Sequence, residues 1–119
     1  MELLKIFIMV LLFLGLAIKN EAQPTYLYHF CSSTITFTTN SSYHNNLHGV
    51  LDAISTNSRD RRNGFYDTTV GDGQNQVYGL FLCFGDLSPD VCNDCVSFAT
   101  TDIVKRCPIE MTAIIWYDE

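Results

Sequence analysis

The sequence predicts an α+β fold in which two helices pack on an antiparallel sheet and disulfides staple the layers. Three observations lead there. Segments rich in β-branched and aromatic residues alternate with two apolar stripes of helical spacing. Glycine turns, rather than long crossovers, join the central strands. Five cysteines fall in a short chain that opens with an apolar leader.

The elements follow in order. Ile6 to Ile18 is an apolar run broken only by Gly15, preceded by Lys5. About thirteen residues at 1.5 Å each fall short of a bilayer core of roughly 30 Å, and match the core of a signal peptide. Residues 1–22 are therefore expected to be a removable leader ending at Ala22, with an uncleaved anchor as the alternative. Removing it leaves 119 − 22 = 97 residues, residues 23–119, as one small domain. The product is expected to be secreted into an oxidising extracellular space, in which disulfides persist. No second apolar run reaches spanning length.

Tyr26 to Thr39 reads as one or two strands with Cys31 between them. Thr39 to Ser42 is a turn with helix-capping residues, and Leu47, Val50, Leu51 and Ile54 form an apolar stripe on a helix over 43–56. Asn40-Ser41-Ser42 is an N-glycosylation sequon, expected to be used in a secreted chain. The Arg59–Arg62 stretch is a solvated loop. Phe65–Val70 is a strand and Gly71-Asp72-Gly73 a reverse turn. Val77–Phe84, nearly continuous in apolar residues, reads as a central strand buried on both faces. Ser88-Pro89-Asp90 starts a helix with a cap, a harmless proline and an acid at the positive dipole end. Cys92, Cys95, Val96, Ala99 and Ile103 line one side of it to about Arg106, and Pro108 stops it. Ala113–Tyr117 is a last apolar strand.

Charge and chemistry narrow the function. Two of the 7 Lys and Arg and two of the 13 Asp and Glu lie in the leader, so the net charge of −6 belongs to the mature domain. That sign disfavours nucleic acid and anionic membrane. His44 and His48 stand at i, i+4 but lack the acid between them that a metalloprotease helix carries, and no nucleophile-elbow motif occurs. No catalytic, cofactor or metal residue is assigned, and a non-catalytic chain is expected. The cysteines Cys31, Cys83, Cys92, Cys95 and Cys107 admit three readings: a disulfide framework, a four-thiolate zinc site around Cys92-x2-Cys95, or a thioredoxin-like pair. With one orphan, two disulfides allow 15 arrangements, and spacing alone does not choose among them.

The run from Cys83 to Cys95, Cys-Phe-Gly-Asp-Leu-Ser-Pro-Asp-Val-Cys-Asn-Asp-Cys, resembles the C-x8-C-x2-C signature of the plant Gnk2-homologous domain, also called DUF26 or the stress-antifungal domain. Val77–Leu82, Arg106-Cys107-Pro108 and Ile114–Glu119 extend the resemblance over about residues 26–119. It implies two helices on a five-stranded antiparallel sheet, and disulfides Cys31–Cys107 and Cys83–Cys92. Cys95 would pair with a sixth Cys expected just after Glu119, so the resemblance implies a domain lacking its C-terminal end, with Cys95 unpaired and a covalent dimer open to it. Mannose-binding members carry Asn after the first Cys and Arg seven residues after the fifth. Those places hold Ser32 and Ile114, a degenerate sugar site. The resemblance implies an apoplastic recognition module of the receptor-like kinase ectodomain type in stress or defence signalling, with an unidentified protein or glycan partner. The alternative is a secreted antifungal or carbohydrate-binding defence protein of the ginkbilobin type. Kinase activity belongs to longer family members.

Overall fold

The computed structural model describes residues 2–18, 23–59, 63–85 and 87–119, the backbone alone for 13–18. The segment expected to be a leader forms a helix, α1 (Glu2–Ile18), whose side chains from Leu3 to Leu12 lie exposed. No helix among the described residues is long and apolar enough to cross a membrane. The expected cleavage point at Ala22 and the loop residues Arg61 and Arg62 lie outside the described residues.

The domain follows the expected order: β1 (Thr25–Thr36), α2 (Ser42–Asn57), β2 (Phe65–Val70), a 3-10 turn (Gly73–Asn75), β3 (Val77–Leu82), α3 (Pro89–Arg106) and β4 (Glu110–Asp118). All strand pairings are antiparallel. Ser41 caps α2 by accepting from the His44 N–H at 3.2 Å, and Ser88 caps α3 by accepting from the Val91 N–H at 3.2 Å. Lys105 and Arg106 occupy the last turn of α3, at the negative end of its dipole.

The strands differ from the expectation in how they pair and in the position of β3. The described strands form two separate ladders, β1–β4 and β2–β3, not one five-stranded sheet. Residues 25–36 form one strand with Cys31 inside it, and an irregularity between Ser32 and Thr36 bends it. β3 is not a central strand, because β2 is its only ladder partner among the described residues. Val77 and Phe81 are buried under α2, whereas Tyr78, Leu80 and Leu82 are exposed. The continuous apolar run marks an apolar outer face rather than burial on both faces.

Each ladder lies under its own helix, α2 on β2–β3 and α3 on β1–β4, and the helices also pack on each other. Phe37, Tyr43, Val50, Ile54, Val77, Phe81, Cys92 and Val96 make the core. The helix seam is polar. The Asn93 amide donates to Ser58 Oγ at 2.7 Å and to the Ser55 carbonyl at 3.2 Å, and Ser58 donates to the Ser55 carbonyl at 2.9 Å. Ser58 is fully buried, so these bonds satisfy groups that would otherwise be costly.

Cys31 is bonded to Cys107, with Cα atoms 5.7 Å apart, and Cys83 to Cys92, with Cα atoms 5.9 Å apart. These bonds fasten α3 at both ends. Its first turn is tied to the segment after β3, and its C-terminal cap residue is tied to β1. The thiolates that a zinc site would need are thereby consumed.

Gly79 is where α2 comes closest to the sheet. A methyl group there would collide with Val50 Cγ1 and Ile54 Cδ1 of the overlying helix. Gly79→Ala is expected to cost about 1–3 kcal/mol through overpacking, read as a lower urea midpoint with an unchanged slope. Unaltered stability would show that α2 stands farther off.

Candidate functional site

The β1–β4 ladder sorts its residues by face. The pairs Tyr26–Tyr117, His29–Ile115 and Cys31–Ala113 lie on the side toward α3, and the intervening pairs Tyr28–Trp116, Phe30–Ile114 and Ser32–Thr112 lie on the outer side. The two degenerate sugar-site positions, Ser32 and Ile114, thus meet on one face as diagonal neighbours on adjacent rungs. Tyr28, Phe30, Ile114 and Trp116 are all exposed, between 42% and 59%. The Tyr28 and Trp116 rings contact each other with centroids 5.4 Å apart. This outer face is the candidate site. Sugar hydroxyls need planar polar groups that make paired hydrogen bonds. Ser32 and Thr112 offer single hydroxyls, and Ser32 Oγ already bonds Thr34 Oγ1 at 3.2 Å. Ile114 offers none.

The inner side of the same ladder is clamped to α3. The Arg106 guanidinium lies 3.5 Å above the centre of the Tyr26 ring and donates to Asp102 at 2.8 Å. Tyr117 donates its hydroxyl to the same carboxylate, and the Tyr26 hydroxyl bonds His29 Nδ1. The Tyr117 bond, then the Arg106 contact, holds the Asp102 carboxyl below the usual carboxylate range. Burial, then Asp102, pushes the Tyr117 phenol up to about 12. The sequence reading missed this cluster. Its signal was a tyrosine near the start of the first strand and another near the end of the last, with Asp102 and Arg106 one helical turn apart.

Other candidate groups are accounted for. His44 and His48 stack at 4.7 Å, and His44 Nδ1 accepts from the Asn40 N–H at 2.9 Å. Cys31, Cys107 and Glu110 bring three donor atoms within 4.8 Å of one another, but both sulfurs are spent in the disulfide. A cleft of about 460 Å³ beside the α2 N-terminus is lined by residues including Ile35, Phe37, Gln74, Asn75 and Met111, and no carboxylate, amine or imidazole borders it. Cys95 is free and buried, and burial, then Glu119, raises its thiol pKa. A covalent dimer through it would require that face of α3 to open. Asn40 is exposed, in a left-handed turn with φ 65°, ahead of the Ser41 cap.

The Salt stress response/antifungal family matches residues 30–119, and the chain belongs to it. Cysteine-rich receptor-like protein kinase 25 of Arabidopsis thaliana is 44% identical over 110 residues, which is 90% of this chain and 16% of that protein. Cysteine-rich repeat secretory protein 1 of the same plant is 39% identical over 100 residues, 83% of this chain and 29% of that protein. The chain therefore spans less than a third of the length of these relatives. The tandem DUF26 ectodomain of the Arabidopsis cysteine-rich receptor-like protein PDLP8 superposes with a TM-score of 0.73 at 26% identity, over 79% of this chain and 45% of that one. That of PDLP5 gives 0.64 at 31% identity, over 79% and 50%.

The clamp makes stability depend on pH at both extremes. Asp102 has a depressed folded pKa, so its contribution is complete above about 4 and is lost as pH falls through the folded value. Tyr117 has a raised one, so its contribution is complete below about 10 and is lost as pH rises toward about 12. Asp102→Asn is expected to flatten the acid limb of the melting-temperature profile, and to lower the alkaline midpoint of one tyrosine in absorbance titration. An unchanged acid limb and unchanged phenol titration would show that the cluster is not formed in solution.

Proposed function

We propose that the chain is an extracellular, non-catalytic recognition module of the receptor-like kinase ectodomain type, acting in plant stress or defence signalling. Residues 1–22 direct it to the apoplast and are removed, leaving residues 23–119 as the working domain. Asn40 carries the glycan, on an exposed left-handed turn. The observation that carries the reading is the composition of that face: Tyr28, Phe30, Ile114 and Trp116, exposed on a ladder held rigid from behind. Apolar surface of this kind docks protein better than sugar, because protein partners are held by desolvated aromatic anchors.

The test is to display the secreted, glycosidase-shifted chain to a glycan array and to a panel of cysteine-rich ectodomains. The expected outcome is binding to a protein ectodomain, abolished by Ile114→Arg, with no mannose signal. Specific mannose binding would contradict this reading and favour the carbohydrate-binding defence protein.

A further inference from the structure

We infer that the outer face of the β1–β4 ladder is a self-association surface, and that its occupant is a second copy of this chain. The inference deepens the recognition reading by naming one partner of the same face. It begins with area. Tyr28, Phe30 and Trp116 are exposed at 59%, 46% and 42%, and Ile114 beside them at 47%. Aromatic side chains present ~150–250 Å² each, so the half-exposed group makes an apolar patch on the order of 400–500 Å². A standard interface takes about 800 Å² from each partner, roughly 56–65% of it apolar. The patch therefore supplies the apolar share of one side of such an interface.

Charge then selects the occupant. From the Tyr28–Trp116 rung through Phe30–Ile114 to Ser32–Thr112 the face holds no charged side chain, and Asp118 borders it on the next outer rung, Thr25–Asp118. A charged partner finds no complementary group there. The other exposed face, on β2–β3, carries Asp67 between Phe65 and Thr69 and is less suited to an acidic chain meeting itself. A partner for the β1–β4 face must bring apolar area of similar size without relying on charge. The same face of a second copy has those properties, and a two-fold contact lets it complement itself. Each copy has a net charge of −6, so the copies repel outside the patch. Added salt therefore strengthens the association by screening that repulsion, whereas it would weaken a contact driven by opposite charges.

Trp116 is the single tryptophan of the chain and sits on this face against Tyr28, so it reports on the contact directly. The experiment is sedimentation of the secreted chain across micromolar to millimolar concentration at low and high salt, with Trp116 emission recorded in parallel. The expected result is a reversible dimer, tighter at high salt, with blue-shifted emission on dimerisation. Cys95→Ser should leave it intact. Ile114→Arg should raise the dissociation constant by at least about tenfold (about 1.4 kcal/mol) with an unchanged circular dichroism spectrum. A monomer throughout, a dimer indifferent to Ile114→Arg, or one lost in Cys95→Ser would each overturn the inference. A monomer that still binds another ectodomain through Ile114 would remove the self-association and leave the recognition role standing. A chain that binds nothing through this face would remove both.

Discussion

The structure depends on α3 being fastened at both ends. Cys92 in its first turn and Cys107 at its C-terminal cap are each covalently bound, the former to Cys83 after β3 and the latter to Cys31 in β1. Among the described residues the two ladders share no hydrogen-bonded edge. The helices join them, through the buried Val50–Ile54–Val96 core and the Asn93–Ser58 seam. The long loop closed by Cys31–Cys107, with a sequence separation of 76, restricts the unfolded chain most in the loop-entropy view. A domain of this size has few other means of offsetting its conformational entropy.

This arrangement explains why one ladder face can be so apolar. The β1–β4 ladder is held from its inner side by the Cys31–Cys107 bond and by the Tyr26–Arg106–Asp102–Tyr117 cluster. Its outer side lies exposed. Where the mannose-binding pattern calls for Asn and Arg, Ser32 and Ile114 stand on that outer side.

Much of this was legible in the sequence. The apolar stripe from Leu47 to Ile54 and the Ser88-Pro89-Asp90 start placed both domain helices, because helical periodicity and caps are local signals. The cysteine spacing left fifteen pairings open, and only the family resemblance chose among them. Strand context was the weak point. Val77–Leu82 and Ile114–Tyr117 are continuous apolar runs, and such runs say that both faces are apolar without saying that both are covered. Which face the helices occupy is decided by Gly79, which lets α2 approach, and by contacts distant in sequence. The cluster around Asp102 was equally hidden, since its members come from three elements.

The central claim is that α3 and its disulfides, rather than a continuous sheet, hold the two ladders in place. Native-state hydrogen exchange on Cys31→Ser/Cys107→Ser tests it most directly. The account predicts that amides of β1 and β4 lose protection while those of α2, β2 and β3 keep theirs. Equal loss of protection across both ladders, or none in either, would contradict it.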